Sequence, residues 1–154
     1  MERKTKVHAE AGKQVLTITR EFDLPVELLF KAHTEAELLE QWMGTKVLKL
    51  EAKKHGSWQI ETSFPNGNLA FRASGVFHEI IPNQKIIRTF EMENIFDVQL
   101  EFFDFERLTG DVSKLTMQFV FRSLALRDQM LQMPFAQGLN MAHNRLQEIL
   151  NQIK

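Results

Sequence analysis

The chain has 154 residues, a formal net charge of -1, 44% hydrophobic and 25% charged residues, which describes one ordinary soluble domain able to bury a core. The near-neutral balance leaves no basic footprint for nucleic acid, and the absence of cysteine excludes thiol catalysis, thiolate metal sites and disulfides while fitting a cytoplasmic setting. Thirteen Phe, two Trp and no Tyr give a large aromatic interior with no phenol to act as an acid or donor.

In chain order, Met1-Glu2-Arg3-Lys4-Thr5-Lys6 has no apolar stretch after it, so no secretory signal is expected. No apolar run approaches the ~18 residues that span a bilayer, which argues against membrane insertion. A single domain over 1–154 is expected, with 1–12 as a flexible or extra N-terminal segment. Val15 to Phe22 alternates as a half-buried strand. Pro25 suits a first helical turn, and Val26, Leu29, Phe30 and His33 follow at helical spacing. Thr34 and Glu37 form a capping signature for a second helix, whose Leu38, Leu39 and Trp42 share a face before Gly44 ends it.

Lys46 to Ala52 alternates again, His55-Gly56 turns, and Ser57 to Ser63 is a strand. Pro65-Asn66-Gly67-Asn68 is a hairpin turn into Leu69 to Ile80, where Gly75 marks a bulge or sharp bend. Pro82-Asn83 leads into Lys85 to Glu93. In Val98 to Arg107, Val98, Leu100 and Phe102 alternate before Phe103 and Phe105 take over the phase, which predicts a bulge. Thr109-Gly110-Asp111 turns into Lys114 to Arg122, with Leu115, Met117, Phe119 and Phe121 on one face. Short connections imply an antiparallel sheet of about seven strands.

Pro134 opens the last helix, in which Phe135, Gly138, Leu139, Ala142, Leu146, Ile149, Leu150 and Ile153 form one apolar stripe. Asn140, Asn144, Arg145, Gln147, Glu148 and Gln152 supply its wet face. The stripe needs covering, and the sheet is the apolar partner of matching length. Its mixed polar face favours core docking over membrane adsorption. A twisted sheet around a straight helix leaves space unless large side chains fill it.

Several stretches now resemble a known family: Arg20-x-Phe22-Asp23-x-Pro25 through Phe30-x-Ala32-x-Thr34, Leu39-x-x-Trp42-x-Gly44, Gly56-Ser57-Trp58, and Gly75-Val76-Phe77-x-Glu79-Ile80-x-Pro82 with Thr89-Phe90. Together with Gly138-Leu139 and Leu146 they resemble the START-like (SRPBCC) superfamily, within it the domain named after the activator of heat-shock-protein-90 ATPase. Trp42-Met43-Gly44-Thr45 departs from the family's frequent Trp-Trp-Gly-Pro, and Gly138-Leu139 from its Gly-Trp. The resemblance implies an α+β helix-grip (START-like, Bet v-like) fold: a curved antiparallel sheet around a long C-terminal helix, with two short helices after the first strand. It also implies a cavity for an apolar or amphipathic ligand, and no single reaction.

The cavity-lining candidates are Trp42, Trp58, Phe71, Phe77, Phe90, Phe102, Phe119, Met130, Phe135 and Leu139, each weighed against plain core packing. Met133 and Met141 would suit a plastic pocket mouth or fill gaps. The five histidines lack metal-ligand spacing, and His33 reads as a satisfied, partly buried imidazole. Arg20 points inward by alternation and needs a carboxylate, for which Glu79 is a candidate; Arg88 is a further polar group for the interior. The expected function is non-catalytic binding of a small hydrophobic or amphipathic ligand, with no cofactor, metal or catalytic set. An enzyme of the cyclase, aromatase or hydratase sort is the alternative, as is a chaperone ATPase co-regulator. Eukaryotic activators of that kind carry an added N-terminal domain for which 154 residues leave no room. A homodimer is compatible with all of these.

Overall fold

The computed structural model describes residues 3–154. They form β1 (Lys6–His8), β2 (Val15–Phe22), α1 (Val26–Thr34), α2 (Ala36–Met43), β3 (Lys46–Leu50), β4 (Ser57–Ser63), β5 (Leu69–Ile81), β6 (Lys85–Met92), β7 (Gln99–Arg107), β8 (Ser113–Val120), α3 (Leu124–Gln132) and α4 (Phe135–Asn151). The strands make one open sheet in the order β1-β2-β8-β7-β6-β5-β4-β3, and every neighbouring pair is antiparallel. The α+β helix-grip architecture is as the sequence implied, with eight strands rather than about seven. The added strand is β1, which lies inside the 1–12 segment and pairs with the edge of β2. Residues 1 and 2 of that segment lie outside the described residues.

The inner face follows from strand alternation. Leu16, Ile18, Arg20 and Phe22 of β2 are buried against Phe119, Met117, Leu115 and Ser113 of β8. In β7 the buried set is Gln99, Glu101, Phe103 and Phe105. No bulge interrupts that strand's pairing on either side, so the expected phase change does not occur. The sheet instead shifts register between Val47 and Lys49, Thr62 and Ser63, and Phe77 and Glu79. Gly75 sits in unbroken register with β4, and its role is close approach. A Cβ there would stand 1.9 Å from the Thr89 carbonyl oxygen and 2.7 Å from Trp58 Nε1.

Pro25 is the N-cap of α1, and Gly44 ends α2 in the left-handed region at φ 63°. The Thr34–Glu37 capping box does not form. Thr34 stays in the last turn of α1, where its hydroxyl donates to the Phe30 carbonyl at 3.2 Å, and the N-cap of α2 is Glu35 with no side-chain cap. Trp42 Nε1 donates to the Ala32 carbonyl at 2.8 Å and locks the two helices together.

Helix α3 was not foreseen. Ser123 caps it by accepting the Leu126 N–H at 3.1 Å, and buried Arg127 donates from Nη1 to the Glu10 and Lys13 carbonyls at 2.6 and 2.5 Å. In α4, His143, Leu146 and Leu150 are buried, with Phe135, Leu139, Ala142 and Ile149 packed against the core. Gly138 and Ile153, assigned to the apolar stripe, are exposed. Asn140, assigned to the wet face, instead accepts the Thr5 N–H at 2.9 Å and Arg20 Nη1 at 3.2 Å. Arg145 Nε donates to the Trp42 carbonyl at 3.0 Å, and Gln147 accepts the Asp23 N–H at 2.9 Å. Thus α4 is seated on α2 at one flank and on the β1–β2 edge at the other. Among the described residues no helix is long and apolar enough to cross a membrane.

Candidate functional site

Between the inner face of β5–β8 and the four helices lies a cavity of about 220 Å³. Its floor is Phe77, Ile86, Phe90, Phe103, Met117 and Phe119, and its roof is built by Leu39, Trp42, Met130, Phe135, Leu139 and Ala142. Trp42, Phe77, Phe90, Phe119, Met130, Phe135 and Leu139 are seven of the ten residues singled out from the sequence, and they stand on this wall.

The other three do not line it. Phe102 faces the opposite side of β7, because the strand runs without the expected bulge. Phe71 is half-buried on β5, packed against the core away from the cavity. Trp58 is buried behind the wall, its ring 4.4 Å from the Arg88 guanidinium carbon and its Nε1 without a hydrogen-bond partner among the described residues. Met133 and Met141 are exposed.

Five of the nineteen lining residues are polar: His33, Arg88, Gln99, Glu101 and His143. Glu101 is only 1% exposed. Its Oε1 accepts Arg88 Nε at 2.8 Å, and its Oε2 accepts Gln99 Nε2 at 2.7 Å. Burial of a carboxylate requires such partners, and this one has both oxygens engaged. The Arg88 guanidinium also lies 4.9 Å from the Phe103 ring, so it is held between aromatic faces as well as by charge. The anticipated Arg20–Glu79 pair is absent. Arg20 is buried, and its bonds include the Thr5 hydroxyl, Asn140 and the Glu21 carbonyl; among the described residues the buried carboxylate is that of Glu101.

His33 Nδ1 lies 2.9 Å from the Leu29 carbonyl oxygen. Burial pushes its pKa down to about 4; the Leu29 bond opposes this, and the Arg88 charge adds to it. His143 is pushed down to about 3, first by burial and then by the charges of His33 and Arg20. Both imidazoles are therefore neutral near pH 7. Among the described residues there is no cluster of three or more His, Cys, Asp or Glu able to hold a metal ion.

Glu101, Gln99 and His143 were missed in the sequence. The signal for the first two was available: Gln99, Glu101, Phe103 and Phe105 form one alternating set, but two of its members are polar. His143 stands one residue after Ala142 in the stripe, which widens the buried face beyond its apolar members.

A family model described as Activator of Hsp90 ATPase homolog 1-like protein matches residues 23–151. Solved structures share the fold across nearly the whole chain. Protein Ms6760 from Mycobacterium smegmatis is 20% identical with a TM-score of 0.84, covering 98% of this chain and 99% of that one. A protein from Rhodobacter sphaeroides is 19% identical with a TM-score of 0.87, covering 96% and 98%. An HSP90 activator from Plasmodium falciparum is 22% identical with a TM-score of 0.66, covering 90% and 96%. No curated protein matches.

Proposed function

The chain belongs to the family of Activator of Hsp90 ATPase homolog 1-like proteins, and on that premise we propose that it binds, without catalysis, a small apolar or amphipathic molecule between sheet and C-terminal helix. The observation that carries this is the cavity of about 220 Å³ with fourteen apolar residues among its nineteen. A dry apolar cavity of roughly 150 Å³ holds benzene, so this one has room for about two fused rings. It lies below the roughly 300–1,000 Å³ of drug-sized sites, which points to a small guest. Native mass spectrometry of freshly purified protein is expected to show a small-molecule adduct. Protein that carries no adduct and takes up no apolar probe would refute the reading.

One observation favours a second reading, an enzyme of the START-like sort: His33, His143, Arg88 and Glu101 share the cavity wall. Two facts weigh against it. Both Glu101 oxygens are engaged, and imidazoles with pKa values of about 4 and 3 lie well below the operating range of an efficient general base near pH 7. A bound guest whose mass changes on incubation with the protein would reverse the preference. The chaperone role suggested by the family's name is tested by a pull-down with Hsp90; recovery of the chaperone would support it.

A further inference from the structure

Arg88 stands on the cavity wall with most of its hydrogen-bonding capacity unspent. Ile86, Arg88 and Phe90 alternate onto the inner face of β6, a strand inside the sheet, and all three line the cavity. The guanidinium carbon lies 4.4, 4.9 and 5.9 Å from the Trp58, Phe103 and Phe90 rings, of which the last two belong to the wall. A guanidinium carries five N–H donors. One of them has a partner, the Nε donor on Glu101. The side-by-side pairing of two nitrogens with two carboxylate oxygens does not form, because Gln99 Nε2 holds Oε2 at 2.7 Å. Nη1 and Nη2 thus have no hydrogen-bond partner among the described residues.

These two nitrogens are within reach of a guest. The buried side-chain nitrogens left without partners among the described residues are His33 Nε2, Trp58 Nε1 and Arg72 Nε, and neither η nitrogen is one of them. The Arg88 side chain keeps 18% of its surface accessible, whereas His33, Gln99, Glu101 and His143, the other polar members of the wall, are buried. On the inner face, that surface opens to the space between sheet and helices. Neither imidazole takes up an Arg88 donor: His33 is engaged through Nδ1 with the Leu29 carbonyl, and His143 through Nδ1 with the Thr5 hydroxyl.

Resting on the binding reading above, we propose that the guest is an uncharged apolar molecule bearing a carbonyl oxygen, a ketone, ester or amide, that accepts from the η nitrogens of Arg88. A carbonyl oxygen brings two lone pairs and no proton of its own to satisfy. A hydrocarbon guest strips water from these N–H groups and returns nothing. A carboxylate would accept as well, but Glu101 already balances the Arg88 charge and both imidazoles are neutral. Its own charge would stay uncompensated among apolar side chains. An ammonium head has no lone pair to offer and repels the guanidinium.

The test compares indane, 1-indanone and indane-1-carboxylate, which share one ring system, by calorimetric titration of the whole chain. The expected result is 1-indanone binding about tenfold tighter than indane, the low end of what a hydrogen bond to a charged group is worth, with the carboxylate weakest. In Arg88→Met/Glu101→Leu, which removes both charges together, the ratio of the first two affinities is expected to fall to about one. A measurement needing no variant accompanies it: the infrared C=O stretch of 1-indanone bound to wild-type protein is expected below its position in an alkane solvent. Equal affinities for indane and 1-indanone, an alkane-like band, a ratio unchanged in the double variant, or tightest binding by the carboxylate overturn the carbonyl assignment and leave the binding function standing. Failure of all three to bind overturns both.

Discussion

Glu101 sets the charge balance of the interior. With one oxygen on Arg88 and the other on Gln99, its removal strands a guanidinium whose side chain is only 18% exposed. Breaking one side of a buried pair costs about 3–5 kcal/mol. Residual exposure of Arg88 puts Glu101→Leu at the lower end, about 3 kcal/mol by urea denaturation. The double variant Arg88→Met/Glu101→Leu is expected to recover most of that loss, since the wall around it is already apolar. A double variant no more stable than the single one would show that the guanidinium stacks on Trp58 and Phe103 matter more than the ion pair.

The two buried imidazoles make a separate claim about acid. Their folded pKa values, about 4 and about 3, lie below the ordinary 6.5, so the unfolded chain binds more protons between those limits. Stability is full above pH 6.5 and falls with pH toward the folded values. Near pH 5.5 two such groups give a slope of roughly 2 kcal/mol per pH unit. Urea midpoints measured between pH 6.5 and 5 read it directly, above the range where carboxylates titrate. A flat profile across that window would mean the rings are hydrated or already charged in the fold.

At the scale of elements, the legible parts were those in which apolar spacing and turn chemistry agree. β2, β8, α1, α2 and the hairpin at Pro65–Asn68 are of that kind. β7 was read with its faces exchanged up to Phe102 and correctly from Phe103 on, because its inner positions begin with Gln99 and Glu101 while Leu100 and Phe102 point outward. Polarity pattern reports the typical face of a residue, and a charge buried by pairing inverts that signal. α3 escaped for a related reason: of its two buried residues, Arg127 and Met130, one is a cation that pins the Glu10–Lys13 turn. Its visible signal was Ser123 alone. Ser123→Ala is expected to cost about 1 kcal/mol through loss of the Leu126 cap. Thr34→Ala, at a site also read as a cap, is expected to cost less, because its hydroxyl only back-bonds within α1. Comparable losses in the two thermal melts would contradict this assignment of the caps. Gly75→Ala is the severe case on β5: backbone of β6 fills the space its methyl would need, so about 3 kcal/mol or more is expected.

At the scale of the molecule, the cavity exists because α4 is held from its flanks rather than pressed onto the floor of the sheet. Arg145 ties it to the end of α2, and Asn140 and Gln147 tie it to the β1–β2 edge. Phe135, Leu139 and Ala142 then span the gap above β6–β8. If that gap is retained for a guest, filling it should remove binding without harming the fold. If it is mere packing imperfection, filling it should change only stability. Ala142→Phe separates these cases, because the added ring is of the size that a cavity of about 220 Å³ accepts. The expected outcome is at least a tenfold loss of affinity for naphthalene, with a urea midpoint equal to or above that of the wild type. A variant that folds, gains stability and still binds naphthalene as before would place the guest elsewhere on the molecule.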